Sequence, residues 1–474
     1  MIFHSLDFAA FFLIVVTVYW RLPRRAQNLW LVAASYVFYG YVHPWFVTLV
    51  FATTVADYWA GRGMADWPEK RRLFLGLSLA ANLGMLGFFK YFNFFAENVH
   101  AALTLAGLDV PRTTLAVVLP VGVSFYTFQE LSYTIDVYRG TLTARRSFFD
   151  FAAFVCFFPQ LVAGPIERAS RLLPQVEQPR VFSWVAAREA TVLMVWGYFK
   201  KLVIADNVGI IANKVFGLKD PSFEVLWAGV FAFGIQIYAD FSAYSDIARG
   251  TARWFGFDLM RNFHHPYFAR GPVDFWRRWH ISLSSWFRDY VYIPLGGSRR
   301  GRWFTARNVL VTFLLSGLWH GASWNYVLWG LYHGVLLVAA RLFGRWPVTS
   351  TLMLRVLTPL RIVGMFVLVE VGWLMFRETD IRFLLHDLTL SPWASTTLQR
   401  QTGIYLLLTA AAYSLPLWVH GAWEELRTAP ARTVKAPPQR WGWVAAQAVL
   451  CGVLLATLLV FRSRTSLDFI YFQF

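Results

Sequence analysis

Apolar stretches long enough to cross a membrane recur along the whole sequence, with short polar segments between them. A membrane-spanning helix needs about 20 mainly apolar residues. The first stretch, LDFAAFFLIVVTVYW, lacks a basic leader and a small-residue cleavage site, so we interpret it as a retained span. The pattern predicts an all-α polytopic membrane protein with roughly 11 crossings. Beyond the first five spans, we place the later ones near 187–205, 223–252, 304–321, 323–343, 354–376, 402–420 and 441–462.

One apolar stretch does not have the pattern of a crossing. FFDFAAFVCFFPQLVAGPIERAS, residues 148–170, contains Pro159, Gly164 and Pro165 and has arginine on both flanks. Helix breakers at membrane depth are tolerated where protein covers the backbone, which favours a re-entrant segment. We therefore expect one integral-membrane domain, 1–474. Its parts would be N-terminal helices (1–145), a core with re-entrant and amphipathic segments (146–345) and C-terminal helices (346–474), with 428–440 as an ordinary loop.

The first five loops alternate between many basic residues and few. The second loop has no Lys or Arg and the fourth has only Arg112. The first, third and fifth carry basic clusters: Arg21, Arg24 and Arg25; Arg62, Lys70, Arg71 and Arg72; and Arg139, Arg145 and Arg146. Basic loops stay on the cytoplasmic side, so this alternation predicts an N-terminus that faces outward.

Composition narrows the class of protein further. The chain is 57% hydrophobic and only 15% charged, whereas soluble domains are about a quarter charged. Its net charge of +17 comes from residues clustered between apolar spans. That distribution favours contact with anionic membrane lipid and argues against nucleic acid as a partner. Two distant cysteines, Cys156 and Cys451, predict neither a disulfide framework nor a metal site.

The segment between the predicted spans near 223–252 and 304–321 is rich in arginine. From Arg253 to Arg307 there are ten arginines, no lysine and three acids. The pattern predicts an amphipathic helix from Asp274 to Tyr292, with Asp274 as its N-cap and PLGG as its stop. Its apolar face would contain Trp276, Trp279, His280, Leu283, Phe287 and Tyr290, and another face Arg277, Ser284 and Arg288.

Two functions of this helix remain open from the residues alone. A helix lying on anionic headgroups accounts for the arginines, and so does phosphate binding. If the helix only lies on headgroups, the presence of His280 on its apolar face is not explained.

A second histidine, His320, lies within the apolar run FLLSGLWHGASWNYVLWG, residues 313–330. The small residues around it, such as Gly317 and Gly321, allow another chain or a substrate to come close. An ionisable residue inside a membrane bundle is by default a functional hypothesis. The alternative is a structural histidine that is hydrogen-bonded across two helices.

The spacing of the two histidines limits the chemistry. Forty residues separate His280 from His320, and neither has a second ligand at i+3 or i+4, so metal binding is disfavoured. A serine nucleophile would need a Gly-x-Ser-x-Gly sequence, which we do not find. A general base acting on a hydroxyl group in a dry site is compatible with both residues.

At this point the sequence closely resembles the membrane-bound O-acyltransferase (MBOAT) family, in particular its bacterial alginate O-acetyltransferase (AlgI-like) branch. Six ordered motifs carry the resemblance: VGVSFYTFQELSYTIDVYRG, FFPQLVAGPIERAS, YADFSAYSDIARG, DFWRRWHISLSSWFRDYVYIPLGG, LSGLWHGASWNYVLWG and the terminal FIYFQF. One departure is His264 and His265, where relatives often have Asn and an aromatic residue before Pro-Tyr.

The resemblance implies a ring of helices around a central funnel or tunnel with the two histidines near its constriction. His320 falls on the family's nearly invariant histidine and His280 on its second histidine or asparagine position. By this resemblance, His320 is the general base and His280 orients or polarises the acyl group. The candidate donor-binding residues are Arg277, Arg278, Arg288 and Trp276.

The function implied is O-acetylation of an exopolysaccharide such as alginate, by transfer of an acetyl group across the bacterial inner membrane. The donor would be acetyl-CoA or another acyl thioester in the cytoplasm, with no permanently bound cofactor and no metal. We expect a periplasmic acetyltransferase as partner and a polysaccharide as acceptor. Two alternatives stay open: D-alanyl transfer to teichoic acid from a carrier protein, and a non-catalytic lipid or acyl transporter, for which Glu130, Asp240 and Asp246 would be pathway residues.

Overall fold

The computed structural model describes residues 1–474 except 117, 163, 344–350, 429–440, 464, 466 and 471–474, and for 351–356, 428 and 441 only the backbone. The expected loop at 428–440, apart from its first residue, and most of the terminal FIYFQF therefore lie outside the described residues. Within the described part every regular element is helical, with no β-strand, which confirms the all-α prediction.

The chain divides into two compact units. The first contains Met1–Thr191 and Ile247–Arg261, and the second Val192–Asp246 and Asn262–Phe474. The division into three parts inferred from the sequence stays a prediction. The helices that begin in the first unit are α1 (Leu6–Tyr19), α2 (Arg24–Gly40), α3 (Phe46–Asp66), α4 (Arg71–Leu86), α5 (Phe92–Leu105), α6 (Val123–Arg139), α7 (Phe148–Cys156), α8 (Phe158–Leu161), α9 (Ala169–Glu177) and α10 (Trp184–Phe199).

The remaining helices begin in the second unit and include the long apolar ones. They are α11 (Asp206–Val215), α12 (Phe223–Trp254), α13 (Pro272–Arg278), α14 (Ile281–Phe287), α15 (Arg302–His320), α16 (Trp324–Phe343), α17 (Thr351–Arg377), α18 (Ile381–Thr389), α19 (Thr397–Thr428) and α20 (Trp441–Phe461). A helix therefore lies at each of the seven later stretches predicted as spans.

Six helical segments of the described chain are long and apolar enough to cross a membrane: Pro68–Leu105, Phe223–Trp254, Trp324–Phe343, Leu357–Arg377, Thr397–Arg427 and Gly442–Phe461. The count of roughly 11 crossings stays a prediction. The segments differ sharply in burial, since 89% of the most apolar window of α12 is buried but only 6% of that of α20. α12 is thus a core helix, whereas α20 exposes nearly its whole surface, as suits a helix that faces lipid.

The stretch predicted as re-entrant forms two short helices. α7 has nine residues and α8 four, and at about 1.5 Å per residue neither reaches across an apolar layer of about 30 Å. Ser147 caps α7, because its hydroxyl oxygen accepts a hydrogen bond from the backbone N–H of Asp150 at 3.3 Å. Nearly every residue of both helices is buried, so their broken backbone is covered by protein.

The acidic residues that a transport pathway would need have structural partners. Glu130 accepts a hydrogen bond from Thr54 at 3.3 Å within the first unit. In the second unit Asp240 lies 3.0 Å from the ammonium of Lys201, and Asp246 lies 2.7 Å from that of Lys200. These contacts favour a structural role for the three acids, of which Glu130 and Asp240 are buried and Asp246 is half-buried. The sequence did not identify the two lysines as their partners.

Candidate active site

The arginine-rich segment folds as two short helices, which corrects the prediction of one helix from Asp274 to Tyr292. α13 ends at Arg278, Trp279 is extended, and His280 adopts a left-handed backbone conformation with φ of 41° before α14 begins. Asp274 is the third residue of α13, not its N-cap, and accepts a hydrogen bond from the Arg270 N–H at 3.0 Å. The predicted stop is correct, since the π-helical turn after α14 ends at Tyr292, before PLGG.

Asn262, which the sequence did not single out, holds this break in place. Its backbone carbonyl accepts from the N–H of Ile281 at 2.9 Å, and its side-chain oxygen accepts from the hydroxyl of Ser282 at 2.9 Å. Its amide group donates to Ser245 of α12 at 3.2 Å. A non-glycine residue in the left-handed region costs about 1–3 kcal/mol, so these tertiary bonds stabilise a conformation that local preference opposes.

The break turns the His280 imidazole into the core. The residue is 0% exposed, and its ring lies 4.6 Å from that of Phe241 and 6.1 Å from that of Trp319, between centroids. Its Nδ1 accepts a hydrogen bond from the Leu283 N–H at 3.3 Å. Burial lowers the pKa of His280 to about 3. At neutral pH the ring is therefore uncharged, with its proton on Nε2 because Nδ1 is an acceptor.

His320 is the last residue of α15 and is 4% exposed. Its ring centroid lies 5.0 Å from those of Trp319 and Trp329 and 5.4 Å from that of Phe376, with the ring planes nearly perpendicular. Both histidines thus contact Trp319, although forty residues separate them in the sequence. His280 has aromatic neighbours, but the continuous helix face on which it was predicted does not form.

Glycines in α15 and α16 let the two helices pack very close together, as expected from the small residues around His320. A Cβ atom on Gly317 would lie 2.1 Å from the carbonyl oxygen of Tyr326, and one on Gly330 would lie 2.3 Å from that of Phe313. Glycine is therefore required where these helices meet. The contact fixes the end of α15, and with it His320, against α16.

Six large side chains form what we call the aromatic cluster around the histidines: Trp276, Trp279, Trp319, Trp329, Trp373 and Phe376. Neighbouring ring centroids are close, for example 5.7 Å for Trp276 and Trp329 and 4.8 Å for Trp279 and Trp373. Trp276 is part of this wall and is half-buried.

Two further polar side chains, His333 of α16 and Glu370 of α17, are buried within this region and were missed in the sequence. The ring of His333 lies 4.9 Å from that of Trp329. A polar residue within an apolar span can be recognised from the sequence, and both residues lie in such spans. Among the described residues no three His, Cys, Asp or Glu side chains are grouped as a metal site would require.

The candidate donor-binding arginines differ in their surroundings. Arg278 forms ion pairs with Asp274, at 2.8 Å, and with Glu425 of α19. Arg277 is exposed, and Arg288 is exposed beside Asp289, at 2.7 Å. The geometry leaves Arg277 and Arg288 more accessible to an anion than Arg278.

A cavity that is partly open to solvent lies beside the aromatic cluster in the second unit. Its volume is about 240 Å³ when the open part is included. Its lining is Ile235, Tyr238, His265, Tyr267, Phe268, Leu417 and Trp418. Tyr238 and Tyr267 also contact the ring of Trp279, with centroids 6.3 and 6.4 Å away. His280 follows Trp279 in the chain, so two tyrosines of the cavity wall contact the residue next to His280.

Comparison with known proteins identifies this arrangement. The family model of the membrane-bound O-acyltransferases matches residues 141–379, which contain both histidines and the break between α13 and α14. The chain belongs to the membrane-bound O-acyltransferase family. The resemblance inferred from the six motifs is confirmed, and so is the assignment as an integral-membrane O-acyltransferase.

Individual relatives of this O-acyltransferase agree with the family model. A probable alginate O-acetylase AlgI of Pseudomonas putida is 38% identical over an alignment of 496 positions that covers 100% of both chains. A peptidoglycan O-acetyltransferase of Helicobacter pylori is 36% identical over 69% of this chain and 67% of its own. A teichoic acid D-alanyltransferase of Bacillus subtilis is 28% identical over 48% of this chain and 60% of its own.

Proposed function

We propose that this O-acyltransferase moves an acetyl group from a cytoplasmic thioester donor across the membrane for O-acetylation of an exopolysaccharide such as alginate. The names of the Pseudomonas putida and Helicobacter pylori relatives both specify acetyl transfer, to alginate and to peptidoglycan. The observation that carries the proposal is the pair of buried histidines on one tryptophan. Such a site can hold a thioester and a hydroxyl group together while excluding water.

His320 is the general base in this proposal. A nitrogen of its imidazole accepts the proton of the acceptor hydroxyl as the hydroxyl oxygen attacks the thioester carbonyl carbon. The carbon–sulfur bond then breaks, and the departing thiolate takes the proton from the imidazolium, which restores neutral His320. The C-terminal end of α15 carries the negative end of the helix dipole, so it stabilises the imidazolium in between.

His280 polarises the acyl group. Because Nδ1 accepts from Leu283, the ring proton is on Nε2, and in this proposal Nε2–H donates to the thioester carbonyl oxygen. Negative charge develops on that oxygen as the hydroxyl attacks, and a fixed donor stabilises it. A charged His280 is not required, since the neutral ring donates.

The donor's phosphates are bound by arginine at the cytoplasmic end of the site. Arg277 and Arg288 are the accessible members of the predicted set. Arg278, which has two carboxylate partners, positions α13 against α19, and Trp276 supports the wall next to the donor. Acetyl-CoA is a substrate here, with no permanently bound cofactor.

The cellular setting follows from the same proposal. The protein lies in the bacterial inner membrane, surrounded by lipid, with its N-terminus outside and its basic loops in the cytoplasm. The acetyl group leaves on the periplasmic side, where a partner acetyltransferase passes it to the polysaccharide.

A D-alanyl transferase is the second candidate, because the Bacillus subtilis relative is named for that activity. The two differ in the donor, so a transfer assay with purified protein in lipid vesicles separates them. We expect acetyl transfer from radiolabelled acetyl-CoA to a hydroxyl acceptor, and none from a D-alanyl carrier protein. Movement of label across the vesicle without a new ester bond would instead support a transporter, with protein-free vesicles as control.

A further inference from the structure

Glu370 is a buried carboxyl group to which the mechanism above assigns no role. It lies in α17, is 5% exposed, and neither of its carboxyl oxygens has a hydrogen-bond partner among the described residues. Its neighbour in α12 is a glycine, since a Cβ on Gly234 would lie 2.5 Å from Oε1 of Glu370. The fold thus makes room for this carboxyl group between two membrane helices.

Two hydrogen-bond donors close to Gly234, and so to Glu370, already have acceptors. The Trp373 indole N–H donates to the Tyr267 hydroxyl at 3.1 Å, and the Tyr267 hydroxyl donates to the Gly234 carbonyl. Neither donor is left for the carboxylate. An unpaired buried polar group is costly, and its retention inside a packed core points to a partner from outside the chain.

The position of Glu370 indicates which ligand it meets. It lies close to Tyr267, because both residues approach Gly234, and Tyr267 lines the cavity and contacts Trp279 next to His280. Glu370 itself is not among the lining residues, so an occupant of the cavity meets it next to Tyr267. Two exposed arginines follow the cavity residues in the chain: Arg270 is two residues after Phe268, and Arg277 lies in α13. The exposed arginines, one side of the aromatic cavity and His280 therefore come from the same short stretch of the chain.

We propose that Glu370 binds an amide N–H of the pantetheine arm of the thioester donor, an assignment that rests on the proposed function. The arm is a narrow, mostly apolar chain with two amide groups, and in an aromatic cavity each amide N–H needs an acceptor. The carboxyl group of Glu370 supplies an acceptor oxygen, since neither of its oxygens has a hydrogen-bond partner among the described residues. Glu370 is thus a positioning residue that sets the depth of the thioester relative to His320.

The test compares two donors that differ in the amides. Acetyl-CoA contains the pantetheine arm, whereas S-ethyl thioacetate is a thioester without any amide. For Glu370→Leu we expect KM for acetyl-CoA to rise roughly 10–100-fold with kcat little changed, as when a buried amide N–H is left without its acceptor. The kinetics with S-ethyl thioacetate should stay within about threefold, which a merely structural role would not produce.

Conservative and control variants complete the test. Glu370→Gln keeps an acceptor oxygen and should retain a KM for acetyl-CoA close to that of the original protein. Glu189→Leu removes an exposed carboxylate that pairs with Arg253 and should change neither KM. If Glu370→Leu does not fold, Glu370→Met provides an unbranched apolar replacement of similar length.

Direct binding of radiolabelled pantetheine separates failure of this proposal from failure of the proposed function. Absence of transfer from either donor by the original protein would contradict the thioester function. In that case only the Kd for pantetheine tests the role of Glu370. An equal Kd for pantetheine in the original protein and in Glu370→Leu, or an equal loss of activity with both donors, would overturn the role of Glu370.

Discussion

At the scale of single residues, the two histidines should not be equally important. Positioned proton transfer is worth about 10²–10⁴-fold in rate, so His320→Ala should lower kcat by that amount or to background. His280→Ala removes one donor to the carbonyl oxygen and should retain more activity. The measurement is kcat for acetyl transfer by purified protein, with His100→Ala, in α5, as a control outside the site.

The comparison requires intact folding of each variant, checked by thermal unfolding in detergent. If His280→Ala and His320→Ala are equally inactive, the division of roles is wrong and the pair acts as a unit. In that case the double variant would be no worse than either single one.

The buried, neutral state of His280 predicts a pH-dependent stability. Its pKa is about 3 in the folded protein and 6.5 when unperturbed, so below pH 6.5 the unfolded chain binds a proton that the folded protein does not. Stability is lost as the pH falls from about 6.5 towards 3, by up to about 1.4 kcal/mol per pH unit. His280→Gln should flatten the dependence of Tm on pH in this range, and equal slopes would contradict the buried state.

Some of these residues could be found from the sequence and others could not. His280 and His320 are conspicuous because ionisable side chains are rare among aromatic residues. Asn262 has no such signal, since its role depends on hydrogen bonds to Ile281 and Ser282, some twenty residues away in the chain. Arg278 appeared to be one of several equivalent arginines, and only the fold shows its two carboxylate partners.

At the scale of helices, the contact between α15 and α16 should tolerate no side chain at its centre. Gly317→Ala would place a Cβ 2.1 Å from a backbone carbonyl, and overpacking of this kind costs about 1–3 kcal/mol. The matched control is Gly364→Ala in α17, where a Cβ meets nothing within 4 Å. We expect a lower Tm and impaired turnover for Gly317→Ala, and an unchanged or slightly higher Tm for Gly364→Ala. Similar Tm values for both would mean that α15 and α16 are not closely packed.

Helices were predictable from the sequence, but not the break inside one of them. The long apolar helices follow from composition over about 20 residues, which is a local property. From Asp274 to Tyr292 the residues also keep a helical period, so one helix was the natural prediction. The break at Trp279 and His280 arises from tertiary bonds to Asn262, which local periodicity does not contain.

At the scale of the whole molecule, the distribution of basic loops predicts the orientation in the membrane. The Lys and Arg clusters before α2 and after α3 should be cytoplasmic. Cysteines introduced at Ala26 and Asp66, in a background with Cys156 and Cys451 replaced by alanine, should resist a membrane-impermeant thiol reagent in intact cells. They should react after permeabilisation. Labelling of both positions in intact cells would reverse the proposed orientation, which sequence alone indicates only through this charge bias.

A long polysaccharide is poorly suited as the direct acceptor at the active site of this protein. Among the described residues the helices are joined by segments no longer than 17 residues, such as 255–271, which are too small for a separate domain that could hold a polysaccharide. His320 lies among tryptophan and phenylalanine rings, and a long hydrated chain fits poorly there. A serine side chain of an extracytoplasmic partner could approach where a polymer could not. The acetyl group should therefore pass to such a partner first, docked on an apolar patch of the outer surface.

Reconstitution tests this relay directly. Purified protein with acetyl-CoA and long polymer should acetylate the polymer slowly or not at all, because the acceptor hydroxyl groups do not reach His320. Addition of the extracytoplasmic acetyltransferase should raise the rate by at least about tenfold, and its variant with the nucleophilic serine changed to alanine should not. His320→Ala should abolish transfer in every combination. Rapid acetylation of long polymer by the purified protein alone would contradict the relay and make it a direct polysaccharide acetyltransferase.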